Sequence, residues 1–466
     1  MKSGILNDLR KLIPSMMVSN QTSDLELVAS DALSPQRKSY RKKLDIKTPS
    51  VVVRPSSTSQ VTAVALYASR RNIPLVPRGG GTGVMGAAIP TKGGIVLDLR
   101  GLNKIETISR GNHFAVVQAG VILESLSDLL VRHGLLLGHD PWSLPIATVG
   151  GAISTNGMGY LASKYGSMGS QVMGLEVVLS TGDVLSPSYS PKSAGPALEH
   201  LFIGSEGCLG IITKAVLEVF PTPEAQSLDA FIFPSFEHGF QAIQELRSLG
   251  MNPSVVDFAE EFSRSTGQWN TKLFLGFHGI QSEVIALSRR SLVLCERNRG
   301  RVLPESEAST FWKTRHESGE RYKREVIDTP LRLRPARRTK AMDYLHVSIP
   351  ASHILEYRRE CQRLLNLNEF PVQEWSIWGR PEFFSLLLTD KRDGLIGPSP
   401  KMTEVVDMML TMAQDYGGTM EYCHGVGLKR AHLMHREVGP GLTTLKKVKH
   451  TLDPAQIMNP GKLGLD

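Results

Sequence analysis

The stretch RGGGTGVMGAAIP at residues 78–90 limits the fold of this chain more than any other part of the sequence. Gly81, Gly83 and Gly86 match the pattern G-x-G-x-x-G of a dinucleotide-binding βαβ unit. In that unit the glycines lead directly into a helix, whose N-terminus faces the pyrophosphate. Here only three residues separate Gly86 from Pro90, and TKGGIVLDL then predicts a turn and a strand. The sequence therefore argues against a Rossmann fold.

The same glycines still predict an anion-binding loop. Glycines in succession allow backbone N–H groups to converge on a phosphate without obstruction by side chains. A tight surface turn would explain one or two glycines, but it explains poorly five glycines within eight residues. A β-α-β unit precedes the loop: PSVVVRP and IPLVP predict strands, and STSQVTAVALYASRRN has the start signals and apolar spacing of a helix.

Two further glycine-rich segments strengthen this interpretation. Residues 139–185 contain the pair Gly150 and Gly151, followed by hydroxyl and amide side chains. Residues 201–224 place Gly207 before an alternating apolar strand. Two glycine-rich, hydroxyl-bearing loops in one domain indicate a long anionic ligand.

Composition excludes several classes of protein. The chain of 466 residues is long enough for two or three domains. Its net charge of +8 would suit an anionic substrate or transient contact with a membrane surface, but the 53 basic residues are spread along the chain, which gives nucleic-acid binding little support. The four cysteines are far apart and predict neither disulfides nor a cysteine-ligated metal site. With no long apolar run, we expect a soluble protein of a reducing cytoplasm.

Shifts in composition divide the chain into three parts. Two prolines in FPTPEAQS, at 220–227, close the first glycine-rich part, and the residues after about 417 become glycine-rich again. We therefore predict domains at 1–222 and 223–417 and a C-terminal segment at 418–466.

Three of these blocks carry a family resemblance. Residues 77–90, 140–166 and 201–223 closely resemble, in this order, the FAD-binding domain of the vanillyl-alcohol oxidase/para-cresol methylhydroxylase superfamily. The C-terminal CHGVGLKR and LDPAQIMNPGKL resemble one branch of it, that of the glycolate oxidase D subunit, D-lactate dehydrogenase and D-2-hydroxyglutarate dehydrogenase. The resemblance implies an α+β fold with a two-subdomain FAD-binding domain, an α+β cap domain that binds substrate, and a C-terminal segment that returns to the flavin site.

The resemblance also implies which residues hold FAD. The pyrophosphate would be wrapped by Arg78, Gly79, Gly80, Gly81, Thr82 and Gly83; its other side and the flavin would face Gly150, Gly151, Thr155 and Asn156; and the adenosine half would lie near Gly207 and Ile212. For Ile212 a plain core position in a strand is an equal alternative. Members with covalent flavin often have a histidine in the first loop, and Thr82 at this position implies noncovalent FAD.

The middle segment is expected to bind substrate. STFWKTRHES, at 309–318, resembles the family's W-x-x-R stretch and implies that Arg315 binds the substrate carboxylate, for which a planar guanidinium is suited. A solvated arginine in a charged helix is the alternative. RLRPARR at 332–338 would add positive potential or form an exposed loop. YLHVSIP, at 344–350, resembles a strand that enters the cap, with His346 where an acidic residue is commoner.

A histidine would take the hydroxyl proton while hydride leaves carbon for the flavin. His424 in CHGVG aligns with the histidine of the family's E-H-G motif. The ordinary pKa of a histidine lies near working pH, which suits a general base. The resemblance therefore implies that His424 is catalytic.

The chain departs from the family at the metal site. Metal-dependent members have a G-H-x-G-D-G-N-x-H stretch and the glutamate of E-H-G as ligands, whereas this chain has Trp378, Ser385 and Cys423 at those positions. One cysteine is insufficient to hold zinc, so we expect no metal. Arg380 and Glu382 would compensate for it or form a surface ion pair. The sequence leaves open whether the substrate is bulkier than the usual 2-hydroxy acid.

The sequence favours an FAD-dependent dehydrogenase or oxidase that acts on a small anionic 2-hydroxy acid, similar to D-lactate or glycolate, or on a related alcohol. One alternative is a catalytically decayed flavin-binding subunit of a multi-subunit oxidoreductase. Another is a redox-neutral enzyme similar to alkyldihydroxyacetonephosphate synthase. The sequence does not identify the electron acceptor, for which a quinone, an electron-transfer protein and oxygen are the candidates. It also leaves open whether the protein forms a homodimer.

The loss of metal ligands generates a first prediction. Elemental analysis of the purified protein should find no stoichiometric zinc or manganese, and a chelator should leave activity unchanged, because three ligand positions are lost together. One tightly bound equivalent of metal per chain would overturn this expectation.

Overall fold

The structure is a computed structural model that describes residues 2–33, 47–190, 194–329, 341–390 and 398–466. The arginine-rich stretch at 332–338 lies outside these ranges. The strands of the described residues form three sheets and a two-stranded ribbon. The strands are β1 Val18–Ser19, β2 Val51–Val53, β3 Leu75–Arg78, β4 Ile95–Asp98, β5 Ile105–Ser109, β6 Phe114–Gln118, β7 Leu135–Leu136, β8 Val172–Val178, β9 Val184–Leu185, β10 Ile211–Glu218, β11 Phe220–Pro221, β12 Ala225–Phe233, β13 Val255–Ser263, β14 Gln268–Gly279, β15 Arg301–Val302, β16 Met342–Ser348, β17 Val372–Trp378 and β18 Phe383–Thr389.

Helices cover these sheets. The helices are α1 Lys2–Leu12, α2 Thr22–Val28, α3 Thr58–Arg70, α4 Leu123–Arg132, α5 Val149–Thr155, α6 Ala162–Tyr165, α7 Phe236–Ser248, α8 Gln281–Arg297, α9 Glu305–Thr314, α10 Glu317–Tyr322, α11 Ile354–Leu367, α12 Pro400–Asp415, α13 Met434–Glu437 and α14 Gly441–Leu452. None of those that the structure describes is long and apolar enough to cross a membrane.

The first sheet carries the glycine loop. Its order is β1-β2-β4-β3, and β2, β4 and β3 run parallel. Helix α3 begins where the Ser57 hydroxyl accepts a hydrogen bond from the Gln60 amide, and its buried face has helical spacing. Residues 79–94, which connect β3 to β4, contain no helix. The predicted β-α-β unit and the absence of a Rossmann helix are therefore confirmed.

The second sheet packs beside the first and holds the other glycine segment. It is antiparallel with the order β5-β6-β10-β8-β9. Helix α4 buries Leu123, Leu126 and Leu130 at helical spacing. The short helix α5 follows Thr148 and packs on β10 and β6. The two sheets are the two subdomains that the resemblance implies.

The third sheet has seven antiparallel strands in the order β15-β12-β14-β13-β17-β18-β16. Helices α7, α8, α11 and α12 bury one face of it in a core rich in phenylalanine, with Phe258, Trp375 and Phe384 among its largest buried side chains. Strand β12 begins at Ala225 and α12 ends at Asp415. The overall α+β class is confirmed, while the domain boundaries at 222 and 417 stay predictions.

The C-terminal residues return to the first two sheets. Leu75 in β3 forms a parallel bridge with Met458. The buried Asn459 amide donates hydrogen bonds to the carbonyl oxygens of Ala87, at 2.9 Å, and Glu206, at 2.6 Å. The Lys462 ammonium donates to the Ile89 carbonyl at 2.8 Å. These contacts fix the first glycine loop against the GSEG loop at residues 204–207.

Asn459→Asp tests this connection. The change replaces a donor of two buried hydrogen bonds by a carboxylate that faces two carbonyl oxygens, and Asp tolerates the left-handed backbone at this position (φ 40°). We expect the free energy of unfolding at pH 7 to fall by at least about 2 kcal/mol, measured by denaturant titration. Asn112→Asp, at an exposed turn, is the matched control. Equal midpoints for the two variants would contradict the role of Asn459.

Candidate active site

A cavity of about 440 Å³ lies where the three sheets meet. Its walls come from the first glycine loop, from the segment around α5, from the GSEG loop, from the seven-stranded sheet and from residues 422–424. One end is therefore built of backbone and small side chains, and the other end of polar and aromatic side chains.

Three glycines in the first wall are required by the packing of the protein itself. A Cβ atom would lie 2.2 Å from a neighbouring atom at each of them: Thr148 Oγ1 for Gly79, Ile146 O for Gly80 and Arg78 Nη2 for Gly81. Gly81 also has a φ of +69°, which disfavours any side chain. These three glycines and Thr82 line the cavity, and packing together with backbone conformation explains why no side chain stands at positions 79–81.

Gly83 is different, because packing does not require it. The nearest heavy atom to a Cβ at Gly83 is Asp31 Oδ2, at 3.9 Å, and its backbone is outside the left-handed region. The described protein would accommodate a side chain here, in the wall of the cavity. The glycine therefore leaves room for a group that the chain itself does not supply.

Arg78 contributes its backbone to this wall. Its buried guanidinium donates hydrogen bonds to the carbonyl oxygens of Ser30, at 2.7 Å, and Leu27, at 3.5 Å. Burial lowers the pKa of Arg78, and the charges of Asp31 and Asp98 act against this shift. The side chain therefore supports the loop from behind.

The segment around α5 supplies three of the four predicted residues. Gly150 and Gly151 line the cavity, and the Gly151 amide donates to the capping Thr148 hydroxyl at 3.3 Å. Thr155 lines it as well. Asn156 does not: it is exposed, has a φ of 49°, and its Oδ1 accepts a hydrogen bond from the Gly169 amide at 3.0 Å. Its side chain connects two parts of this segment instead of facing the cavity.

Gly207 and Ile212 both lie in the cavity wall. Gly207 has a φ of +74°, and a Cβ there would lie 3.0 Å from the Pro77 ring. Ile212 is buried and also packs in the core of the second sheet, so the two interpretations of this residue are compatible.

The other end of the cavity is a polar face of the seven-stranded sheet. Side chains alternate between the two faces of a strand, so the neighbours of the core residues lie on the opposite face, from which Asp257, Tyr344, His346 and Trp378 line the cavity. The polar face carries Asp257 on β13, Glu374, Ser376 and Trp378 on β17, Ser385 on β18, and Tyr344 and His346 on β16. The sequence analysis did not predict that these side chains form one face. The alternation of polar and apolar residues in DYLHVS and EWSIW was the available signal.

Hydrogen bonds join these side chains into two networks. His346 Nδ1 lies 2.7 Å from the Ser385 hydroxyl, which is 2.8 Å from the Tyr422 hydroxyl. The hydroxyls of Tyr344 and Ser376 both donate to Glu374 Oε1, the latter at 2.7 Å. Burial raises the pKa of the Tyr422 and Tyr344 phenols well above their usual range, and it also raises the pKa of Glu374.

His424 meets this face from the C-terminal segment. Its ring centroid lies 4.5 Å from that of His346, in an edge-to-face arrangement. Glu421 Oε1 accepts hydrogen bonds from the backbone amides of Cys423 and His424, both at 3.0 Å, and lies 3.8 Å from His424 Nδ1. Burial raises the pKa of Glu421 to about 7. Glu421 therefore fixes the turn that presents His424.

Glu206, in the GSEG loop, holds the same segment from the side of the first two sheets. Its carboxylate accepts hydrogen bonds from the amides of Val426, at 2.6 Å, and Gly427, at 2.9 and 3.0 Å. Burial raises its pKa to about 7. Sequence reasoning did not single out Glu206 or Glu421, and the acidic residue between the glycines of GSEG was the available signal.

Two of the three positions at which the resemblance would place metal ligands lie beside His346. Ser385 bonds it, the Trp378 ring lies 5.1 Å from it, and Cys423 is a buried thiol whose pKa burial raises. Within the described ranges, no three His, Cys, Asp or Glu side chains are grouped to hold a metal ion. Arg380 and Glu382 form an ion pair at 3.2 Å with both side chains partly exposed, which matches the surface alternative.

The structure does not bring Arg315 to the cavity with His424. Its Nε donates to Asp140 Oδ2 at 2.8 Å, its Nη1 donates to the Trp312 carbonyl, and its guanidinium lies 3.8 Å from the centre of the Trp312 ring. His316 Nε2 contacts the other oxygen of Asp140 at 2.6 Å. Arg315 is not among the residues that line the cavity. The role of Arg315 as a ligand of the substrate carboxylate stays a prediction. In the structure its guanidinium binds Asp140 and the Trp312 carbonyl instead.

Comparisons with known proteins agree with this geometry. A family model described as FAD binding domain matches residues 49–187. A second, described as FAD linked oxidases, C-terminal domain, matches residues 222–463.

Two curated relatives match most of the chain. D-lactate dehydrogenase of Archaeoglobus fulgidus is 29% identical over 89% of this chain and 91% of its own length. Glycolate oxidase subunit GlcD of Bacillus subtilis is 27% identical over 89% of each.

Two solved structures share the fold. p-Cresol methylhydroxylase with substrate bound has a TM-score of 0.77 at 20% identity and covers 100% of this chain and 97% of its own. Alkyldihydroxyacetonephosphate synthase has a TM-score of 0.75 at 20% identity and covers 98% of this chain and 84% of its own. Since the C-terminal model alone spans more than half of the residues, the chain belongs to the FAD-linked oxidases of the vanillyl-alcohol oxidase/para-cresol methylhydroxylase superfamily, in its D-lactate dehydrogenase and glycolate oxidase branch.

Proposed function

We propose that this protein is an FAD-dependent dehydrogenase or oxidase that removes hydride from the CH–OH carbon of a 2-hydroxy acid or a related alcohol. The observation that carries the proposal is one cavity with the glycine wall at one end and His424 and His346 at the other. Bound FAD supplies a two-electron acceptor for the hydride.

The residues of the first wall fit FAD. Packing of the protein does not require a glycine at position 83, so Gly83 leaves open space in the wall. The backbone N–H groups of the adjacent glycines are donors that suit a pyrophosphate. Burial of Arg78 behind the loop adds positive charge without filling the cavity. Thr82 in this loop supports noncovalent attachment.

His424 is the proposed base at the substrate hydroxyl. A histidine can accept a proton near neutral pH, and the ring of His424 lies in the cavity wall beside His346. Glu421 and Glu206 fix the backbone on either side of it. His346 is in turn oriented by Ser385 and Tyr422, so the base has a rigid environment.

This hydrogen-bonded wall favours an active enzyme over a decayed subunit. Buried polar side chains destabilise a protein unless they are satisfied, and the hydroxyl, carboxyl and imidazole side chains that β16, β17 and β18 contribute to the polar face are joined in networks. A chain without catalytic activity would have no evident need to keep them. The redox-neutral alternative is separated from our proposal by whether an alcohol reduces the flavin.

Gly83→Val tests the flavin site without any measurement of activity. A Cβ at this position meets no close contact in the protein, and the γ-methyl groups would occupy space in the wall, so we expect a folded variant with at most a tenth of the wild-type flavin content, about 1.4 kcal/mol or more in binding. Flavin absorbance and circular dichroism give the two readouts. Gly111→Val, at an exposed glycine with open space, is the matched control.

The same preparations test the type of attachment. Acid precipitation of the wild type should release FAD into the supernatant. Full flavin content in the Gly83→Val variant would show that the wall has been misassigned, and flavin that stays on the precipitated chain would contradict noncovalent binding.

His424→Ala tests the base. The rate of anaerobic flavin reduction by substrate should fall by roughly 10²- to 10⁴-fold while FAD stays bound, because this is the usual effect of removing a general base. Stopped-flow absorbance measures the rate, and His450→Ala, at an exposed histidine, is the control. An unchanged rate in His424→Ala would remove the catalytic assignment.

A further inference from the structure

Asp257 is a carboxyl group in the cavity wall that the proposed chemistry does not use. It lies on β13 directly across from Trp378 on β17, and its other neighbour across the sheet is Phe274 on β14. It is half-buried and lines the cavity. Among the residues that the structure describes, none forms a hydrogen bond with its carboxyl group.

Aromatic side chains line the same cavity as this carboxyl group. Trp378, Tyr160, Tyr344 and Tyr422 line the same end of the cavity. Burial raises the pKa of the Tyr160 and Tyr422 phenols, and the charge of Asp257 adds to both shifts. A wall of aromatic rings around one carboxyl group is the arrangement that proteins use to bind an ammonium group or a polar aromatic molecule.

The titratable groups that face Asp257 are mostly acidic. Burial raises its pKa to about 8, with further contributions from Glu374 on β17 and Glu261 on its own strand. From the other elements, the phenols of Tyr160, Tyr344 and Tyr422 and the imidazoles of His346 and His424 line the same cavity. Burial raises the pKa of the three phenols, so none of them carries charge near pH 8.

This environment has a defined preference for ligands. An unpartnered carboxyl group gains from a hydrogen-bond donor, and its ionised form repels a carboxylate at close range. An amide, a hydroxyl or an ammonium group would satisfy it in either protonation state. A carboxylate ligand would be accepted only while Asp257 is protonated.

We propose that Asp257 contacts the substrate and selects an uncharged or cationic polar group over a carboxylate. The inference rests on the proposed function, since it concerns the same cavity, and it favours the related alcohols over the 2-hydroxy acids. It also agrees with the position of Arg315, whose guanidinium is engaged by Asp140 outside the cavity wall.

Binding of three probes to the holoenzyme tests the proposal. Benzoate, benzamide and benzyltrimethylammonium do not change charge between pH 7 and pH 9, and calorimetry measures their dissociation constants without any turnover. We expect the Kd of benzoate to rise about tenfold between pH 7 and pH 9, because affinity falls tenfold per unit above the pKa of the group that must be protonated. At pH 9 the two other probes should bind at least about tenfold more tightly than benzoate.

Asp257→Asn supplies the decisive comparison. The amide keeps the shape but does not ionise, so the pH dependence of benzoate binding should disappear while the Kd of benzamide changes less than about threefold. Asp128→Asn, at an exposed carboxylate on α4, should behave like the wild type. Unaltered pH dependence in Asp257→Asn, tightest binding of benzoate at pH 9, or no binding of any probe would overturn the proposal.

These outcomes are distinguishable from failure of the proposed function. If the probes show the expected pattern but no alcohol reduces the flavin, hydride transfer is wrong and the ligand preference stands. If a 2-hydroxy acid reduces the flavin and its affinity is the same at pH 7 and pH 9, the ligand preference is wrong and hydride transfer stands.

Discussion

The carboxylate of Glu206 holds the two ends of the cavity together. It extends from the GSEG loop of the first domain to the amides of Val426 and Gly427, just beyond His424. Hydrogen bonds from N–H groups to a buried carboxylate are short and strong, and their loss would leave a carboxyl without partners. Because the glycine wall and the histidine belong to chain segments more than two hundred residues apart, their relative position depends on this contact and on Asn459.

The second constraint is the alternation of side chains on the seven-stranded sheet. One face of β13, β17, β18 and β16 is buried under helices, so most of its residues are large and apolar. The other face is therefore free to carry Asp257, Ser385 and His346 at fixed spacing. A rigid strand positions such groups better than a loop does, and this explains why this end of the cavity has a structured wall.

Local patterns in the sequence predicted the local structure well. The glycine loop, the β-α-β unit and the absence of a helix after Gly86 depend on neighbouring residues, and the family resemblance supplied the order of the domains. Arg315 could not be placed in this way, because its partner Asp140 is 175 residues away. Asn156 lies in a motif that predicts ligand contact, yet its side chain accepts a hydrogen bond from the Gly169 amide. The polar face escaped notice because β13, β17, β18 and β16 are neighbours in the sheet but not in the sequence.

An anaerobic screen of 2-hydroxy acids and uncharged or cationic alcohols against the purified flavoprotein tests the central claim most directly. We expect at least one such compound to bleach the flavin absorbance in a single turnover, with formation of the corresponding carbonyl product. Flavin that dithionite reduces but that no member of the screen bleaches would contradict it.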